Sequence, residues 1–329
     1  MDWTNRNVLV TGAGGFIGSH LCEALLTAGA NVTALIRYTS RSDWGNLEAF
    51  SADQKARLKV VAGNIEDSYF VSEQVRGNNV VFHLAALIGI PYSYSAPLSY
   101  VRTNVEGTLN VMEASRKHGV EKIIHTSTSE VYGSALYTPI DEKHPLQGQS
   151  PYSASKIAAD KIAESYFLSF DLPVATVRPF NTFGPRQSAR AIIPTIVIQA
   201  LTQKEILLGA LDTVRDLNFV KDTVRGFIKI AESDQTVGET INIGFGKGIS
   251  MGKLVQTILS LMGCHQPVVS KTERMRPAKS EVYTLICDNK KAMDTVGWSP
   301  AFSLENALLE TIQFITANQH LYKADQYTV

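Results

Sequence analysis

The sequence predicts a doubly wound α/β protein, a parallel sheet covered by helices on both faces, joined to a smaller mixed α/β lobe. Three observations carry this. Short apolar runs alternate with helical patterns through the first half of the chain. Those runs are apolar almost throughout rather than at every second residue, as strands buried on both faces must be. Beyond about residue 180 the rhythm breaks into shorter, mixed pieces.

NVLVTG (7–12) is the first strand and runs into glycines. FIGSHLCEALLTAG (16–29) puts Ile17, Leu21 and Leu25 on one helical face and closes at Gly29. NVTALIR (31–37), LKVVAGN (58–64), NVVFHLAA (79–86), EKIIHTST (121–128) and PVATVRP (173–179) are the following strands. Between them lie a short helix over Glu66 to Val75 and long helices over Tyr100 to His118 and Ser153 to Phe170. In the second half, IIPTIVIQAL (192–201) reads as helical despite its early proline, and EILLG (205–209) and LNFV (217–220) as short strands. A helix over Lys221 to Ser233, a strand ETINIG (239–244), an amphipathic helix SMGKLVQTILSLMG (250–263) and a closing helix SLENALLETIQFITANQ (303–319) complete the chain.

The bulk numbers exclude several classes. The chain has 329 residues, enough for two domains or one domain with a lobe. Lys and Arg total 31, as do Asp and Glu, so no nucleic-acid partner is expected. Cys22, Cys264 and Cys287 form neither a disulfide framework nor a metal site by spacing. No run of about 18 apolar residues and no signal peptide is seen, so no membrane association is expected and a cytoplasmic location fits.

The strongest motif is TGAGGFIGS (11–19), between the first strand and the first helix. Gly12 permits the tight turn, Gly15 lets backbone approach a pyrophosphate, and Gly18 permits close helix–strand packing. Phe16 and Ile17 open the helix whose N-terminus faces the phosphates. This predicts a Rossmann-type NAD(P)-binding domain over 1–180. Residues 181–329 are then mainly the substrate lobe, partly interleaved with the sheet. Asn64 and Ile65 are placed to border the adenine. Leu84, Ala85 and Ala86 end the fourth strand at the cofactor edge, where His83 is either a cofactor neighbour or a packing histidine. An acidic residue at the end of the second strand would hold ribose hydroxyls. Here Arg37 and Arg41 stand there, and no carboxylate appears before Asp43, which leans the cofactor toward NADP+.

Tyr152 and Lys156, in SPYSASKIAADK (150–161), share a helix face. An ammonium beside a phenol favours the phenolate, a base able to take the proton of a sugar hydroxyl as hydride leaves its carbon. The fifth strand ends in HTSTSEVYG (125–133) at the carboxyl edge of the sheet, where ligands bind in such folds. Thr126 lies at that edge, and Thr128 is placed to hydrogen-bond the oxygen that Tyr152 deprotonates.

Together with RPFNTFGPRQ (178–187) and GWSPAFSLENAL (297–308), these motifs resemble the extended short-chain dehydrogenase/reductase family over essentially the whole chain. STSEVYG is similar to nucleotide-sugar 4,6-dehydratases. SALYTPIDEKHPLQGQSPYSASK (134–156) is especially similar to the UDP-N-acetylglucosamine 4,6-dehydratases of legionaminic-acid-type pathways. The resemblance implies catalytic roles for Thr128, Ser129, Glu130, Tyr152 and Lys156, with Glu130 the base at C5. Relatives often have Asp where Ser129 stands, which leaves the acid at C6 open. Pro179 borders the cofactor by the same resemblance. The resemblance further implies substrate contacts for Thr128, Glu130, Asn181, Arg190, Arg215 and Arg276, with Arg190 and Arg215 toward the diphosphate and Arg276 toward phosphate or ribose; Tyr92 is expected to line the sugar pocket. The family implies NAD(P)+ without a metal, a UDP-sugar substrate, and a homodimer through four helices, two from each subunit, with Tyr100 to His118 and Ser153 to Phe170 as candidates. UDP-glucuronate decarboxylase, GDP-mannose 4,6-dehydratase and 4-epimerase are the alternatives. A non-enzymatic NADP-sensing protein is a remote one, since it should lack Tyr152 or Lys156.

Overall fold

The structure is a computed structural model that describes residues 1–272 and 277–322. Its first half gives β1 (Asn7–Thr11), α1 (Phe16–Thr27), β2 (Asn31–Arg37), α2 (Ala52–Ala56), β3 (Leu58–Gly63), α3 (Ser68–Val75) and β4 (Val80–His83). There follow α4 (Ile90–Ser95), α5 (Pro97–Tyr100), α6 (Gly107–His118), β5 (Lys122–Thr126), α7 (Pro151–Phe170), β6 (Val174–Pro179) and β7 (Asn181–Phe183). The remainder is α8 (Ile192–Thr202), β8 (Ile206–Leu208), β9 (Val214–Phe219), α9 (Val220–Glu232), β10 (Thr240–Ile243), β11 (Gly248–Ser250), α10 (Met251–Met262), β12 (Val268–Ser270), β13 (Thr284–Leu285), α11 (Lys290–Val296) and α12 (Leu304–Ala317).

The main sheet has seven strands in the order β10-β6-β5-β4-β1-β2-β3, all parallel. Both faces are covered. Val8 and Val10 pack into one core and Leu9 into the other, which is why β1 is apolar at successive positions. Strand order reverses between β1 and β4, and the carboxyl ends of these two strands open the crevice where such sheets bind ligands. Beside it lies a mixed sheet, β11-β9-β13 with β7 also on β9, and a two-stranded pair β12-β8. The strand read at ETINIG is β10, which joins the main sheet against β6 rather than the lobe.

One expected element differs. The long helix from Tyr100 is broken into α5, a π-helical stretch over Val101–Glu106, and α6. The cause is Asn104, buried in that stretch. Its Oδ1 accepts from Leu87 N–H at 2.8 Å, and its Nδ2 donates to Leu87 O at 3.0 Å and Ser155 Oγ at 2.9 Å. The wide turn aims this amide at both the β4 loop and α7. A π turn is a common device at functional sites.

Candidate active site

The glycine loop is tight for physical reasons. Gly12 has φ of +70°, and a Cβ there would stand 2.8 Å from Ala85 N. A Cβ on Gly18 would stand 2.3 Å from Gly12 O, so α1 can approach β1 only with glycine at this position. Gly15 is different: its Cβ would meet only Gly12 O, at 3.1 Å, and otherwise faces open space. It is the N-cap of α1 and carries no side-chain cap, so first-turn N–H groups point toward that open side. Phe16 and Ile17 are half-buried in this turn. An uncapped helix end behind an open glycine suits a pyrophosphate.

The rest of the cofactor edge is arranged around it. Thr11 Oγ1 accepts from the N–H groups of Leu84 and Ala85, each at 3.1 Å, and Ala86 follows half-buried. With both lone pairs used, the Thr11 hydroxyl donates to His83 Nδ1 at 2.9 Å. His83 Nε2–H then donates to Thr108 Oγ1 at 3.0 Å, and Thr108 to Asn104 O at 2.6 Å. His83 is therefore a packing histidine with a fixed tautomer, and burial holds it neutral, well below its ordinary value. Ile65 is buried and Asn64 exposed after β3, while Pro179 is buried at the end of β6 opposite Ile243. Thr126 Oγ1 is buried with no hydrogen-bond partner, unlike most buried polar atoms. Arg37 and Arg41 are exposed after β2, and Asp43 is turned into its own loop, accepting from Gly45 N–H at 2.6 Å. Among the described residues no group of His, Cys, Asp or Glu is arranged to hold a metal ion.

The start of α7 is set by its cap. Ser150 Oγ accepts from Ser153 N–H at 3.1 Å while Ser153 Oγ accepts from Ser150 N–H at 3.0 Å, and Pro151 follows at the first helical turn. Tyr152 therefore leaves the first turn of a well-defined helix. It is 7% exposed, with its ring edge-on to Tyr100 at 6.2 Å. Thr128 hydrogen-bonds its phenol, and Glu130 is near enough for its charge to act on it. Thr128 also caps the short turn Ser129–Tyr132, its Oγ1 accepting from Glu130 N–H at 3.2 Å. One residue thus positions both Tyr152 and Glu130, and Ser129 between Thr128 and Glu130 is buried.

The phenol does not behave as the Tyr152/Lys156 spacing alone suggests. Burial pushes it well above its ordinary value, the Thr128 hydrogen bond opposes this, and the Glu130 charge adds to the rise. Lys156 donates from Nζ to Thr126 O at 2.6 Å. Burial pulls that ammonium down to about 8, with Asp160 opposing the fall.

Toward the lobe, Asn181 Oδ1 is buried without a partner. Tyr92 is 44% exposed and stands 6.1 Å from Tyr100, continuing the aromatic row from Tyr152. Arg190 is exposed; its Nη1 would lie 3.1 Å from a Cβ on Gly89, so it sits over the loop beside Tyr100. Arg215 is buried, donating to Val214 O at 3.0 Å and Tyr283 O at 3.3 Å and pairing with Glu281 at 3.5 Å. Arg276 lies outside the described residues. Sequence reasoning did not single out Tyr100, which joins Tyr92 to Tyr152, or Asp160, one helical turn beyond Lys156; the spacing of Tyr152, Lys156 and Asp160 along one helix face was the available signal.

The model of the GDP-mannose 4,6 dehydratase family matches residues 9–311. The chain is 33% identical over 321 residues to a dTDP-glucose 4,6-dehydratase of Streptomyces antibioticus, covering 95% of this chain and 93% of that one. It is 32% identical over 321 residues to a UDP-glucose 4-epimerase of Mycolicibacterium smegmatis, covering 93% and 97%. Among solved structures, DesIV, a dTDP-glucose 4,6-dehydratase from Streptomyces venezuelae with NAD bound, aligns with a TM-score of 0.88 at 29% identity, covering 96% of this chain and 99% of that one.

Proposed function

The chain belongs to the nucleotide-sugar 4,6-dehydratase and epimerase family of extended short-chain dehydrogenases/reductases, an NAD(P)-dependent enzyme family, and from that premise we propose which reaction it runs and on what. The reaction is 4,6-dehydration, and the substrate is UDP-N-acetylglucosamine, converted to a 4-keto-6-deoxy sugar nucleotide. The observation that carries dehydration is Glu130: its carboxylate acts on the Tyr152 phenol from the turn that Thr128 caps. A 4-epimerase needs one base at C4 and has no task for a second.

A dinucleotide held at the Gly12–Gly18 loop would supply a nicotinamide able to accept hydride from C4 and give it back at C6. Tyr152 takes the C4 hydroxyl proton, with Thr128 hydrogen-bonded to the same oxygen. Burial opposes the phenolate this requires, so the work of stabilising it falls to Lys156, one turn along the same face. Glu130 removes the C5 proton, made acidic by the 4-keto group. Ser129 is buried and has no comparably acidic proton. Glu130 therefore passes its proton to the departing C6 hydroxyl, which leaves as water; C5 is then reprotonated as C6 gains hydride, and this proton balances the one Tyr152 took from the C4 hydroxyl. Asn181 binds at the sugar end, and so does Arg190, expected at a phosphate but lying beside Tyr100 and Gly89; Arg215 and Arg276 hold the diphosphate.

Arg37 and Arg41 at the end of β2 favour NADP+, tested by titrating the enzyme with each dinucleotide. Exposed Leu109, Leu168 and Phe170 on α6 and α7 support a homodimer through these helices, tested by sedimentation. The reaction is tested by incubating the enzyme with UDP-N-acetylglucosamine, GDP-mannose, UDP-glucose and UDP-glucuronate and following mass. Loss of water from the first is expected. Loss of carbon dioxide from the last identifies a decarboxylase, a reading that Arg190 beside Tyr100 favours as a cation for a C6 carboxylate. Conversion without change of mass identifies an epimerase.

A further inference from the structure

Beneath the candidate site lies a buried polar cluster that no step above uses. Its centre is Asp160, 5% exposed on α7, two turns from Tyr152 and one from Lys156. Asp160 Oδ1 accepts from His125 Nε2 at 3.0 Å. Its Oδ2 accepts from Ser127 Oγ at 2.7 Å and from Arg178 Nε and Nη2 at 3.2 and 3.0 Å. Arg178 continues through Nη1 to Tyr132 Oη at 3.0 Å, and Tyr132 donates to Asn242 Oδ1 at 2.7 Å. Burial alone would push the Asp160 carboxyl up. The His125 hydrogen bond and the Arg178 charge overcome this and hold it at about 2, so it is a permanent anion.

The partners of this anion are not scattered. His125 and Ser127 flank Thr126, whose carbonyl receives Lys156 Nζ, and Thr128 follows directly. Arg178 sits at the end of β6, three residues before Asn181. Each tether therefore joins α7 to a strand end that carries a candidate site residue. A salt-bridged, fully hydrogen-bonded buried carboxylate contributes little net stability but fixes geometry, and losing one partner leaves the others stranded.

We propose that Asp160 is the positioning residue of the site: it locks the catalytic turns of α7 to the ends of β5 and β6 and presents a fixed negative charge to Lys156. The inference rests on the proposed roles of Tyr152 and Lys156. The ammonium faces neutral His83 of β4 and neutral His125 of β5, both held down by burial, with the Asp160 carboxylate on its own helix. Arg178, across the carboxylate on β6, offsets part of its field. Without the Asp160 charge, Lys156 is a desolvated amine facing no counter-charge. Its proton is then lost at lower pH, and with it the cation available to the Tyr152 phenolate.

The test is Asp160→Asn, nearly isosteric and able to keep most of the hydrogen bonds. The titration of Lys156 is followed by NMR of 13C,15N-lysine-labelled full-length protein, its signal assigned by Lys156→Arg, with no sugar nucleotide present. The expected result is a titration midpoint lower than in the wild type. Alongside it, kcat falls about 10-fold, the equivalent of one pKa unit lost by the Lys156 cation that stabilises the phenolate, the alkaline limb of the kcat profile moves to lower pH, and KM changes little. Asp160→Glu, which restores the charge, brings the midpoint back up. An unchanged midpoint in Asp160→Asn, or a loss of rate with an unmoved pH profile, overturns the proposal and leaves Asp160 as packing. Should that variant not fold, Arg178→Gln is read with the opposite sign: Lys156 must titrate higher, and an unmoved midpoint overturns the proposal. Because the titration needs no substrate, failure of the dehydratase reading shows in the mass assay and failure of this proposal in the NMR.

Discussion

The floor and the rim of the candidate site are built by different means. The floor is the end of β5 with the first turns of α7. Tyr152, Lys156, Ser129 and Asp160 are buried there, and the cap at Ser150, the Thr128 turn and the Asp160 cluster set their positions. The rim is the β4 loop, the segment after β7 and the lobe strands. Tyr92 and Arg190 are exposed, and Arg215 is held by its neighbour Val214 O and, from far along the chain, by Tyr283 O and the Glu281 carboxylate. A floor fixed by backbone and buried polar bonds is placed to within tenths of an ångström, as proton transfer requires. A rim of long side chains can vary with substrate while the chemistry below stays the same, which fits a family holding both dehydratases and epimerases.

This contrast can be broken at several depths. The largest effect is expected on the floor. Tyr152→Phe keeps the packing against Tyr100 and removes the phenol, so turnover falls roughly 10³-fold with melting temperature and nucleotide affinity nearly unchanged. A variant retaining a tenth of the activity would place the base elsewhere. Next is Gly18→Ala, where the new methyl collides with Gly12 O. We expect a stability loss of about 1–3 kcal/mol and weaker dinucleotide binding, read by thermal melting with and without cofactor; wild-type cofactor affinity would contradict the tight-loop account. Smaller is Arg215→Gln at the rim. It should raise KM and weaken binding of the free nucleoside diphosphate by about 10-fold, the scale of one charge-assisted contact, and change kcat little. A fall in kcat at constant KM would move Arg215 from the rim to the chemistry.

Legibility in the sequence follows the same division. The glycine loop was readable because its constraint is local: residues 12, 15 and 18 answer to one turn and one crossing of α1 over β1. Tyr152 and Lys156 were readable because helix spacing puts them on one face. The behaviour of the phenol was not, since it depends on burial under Tyr100 and on a Lys156 ammonium taken by Thr126 O. The π turn at 101–106 leaves no local signature; it exists because Asn104 reaches Leu87 and Ser155 at once. The Asp160 cluster gathers side chains from β5, α7 and β6, and only the sheet order brings them together.

The central claim is that two bases with separate tasks face one sugar ring, and Glu130→Gln tests it most directly. The variant keeps the Thr128 cap, which uses the backbone N–H of residue 130, and loses only the base at C5. With UDP-N-acetylglucosamine deuterated at C4, the account predicts that loss of water stops while label still passes from C4 to the bound dinucleotide. Dehydration at the wild-type rate would contradict it.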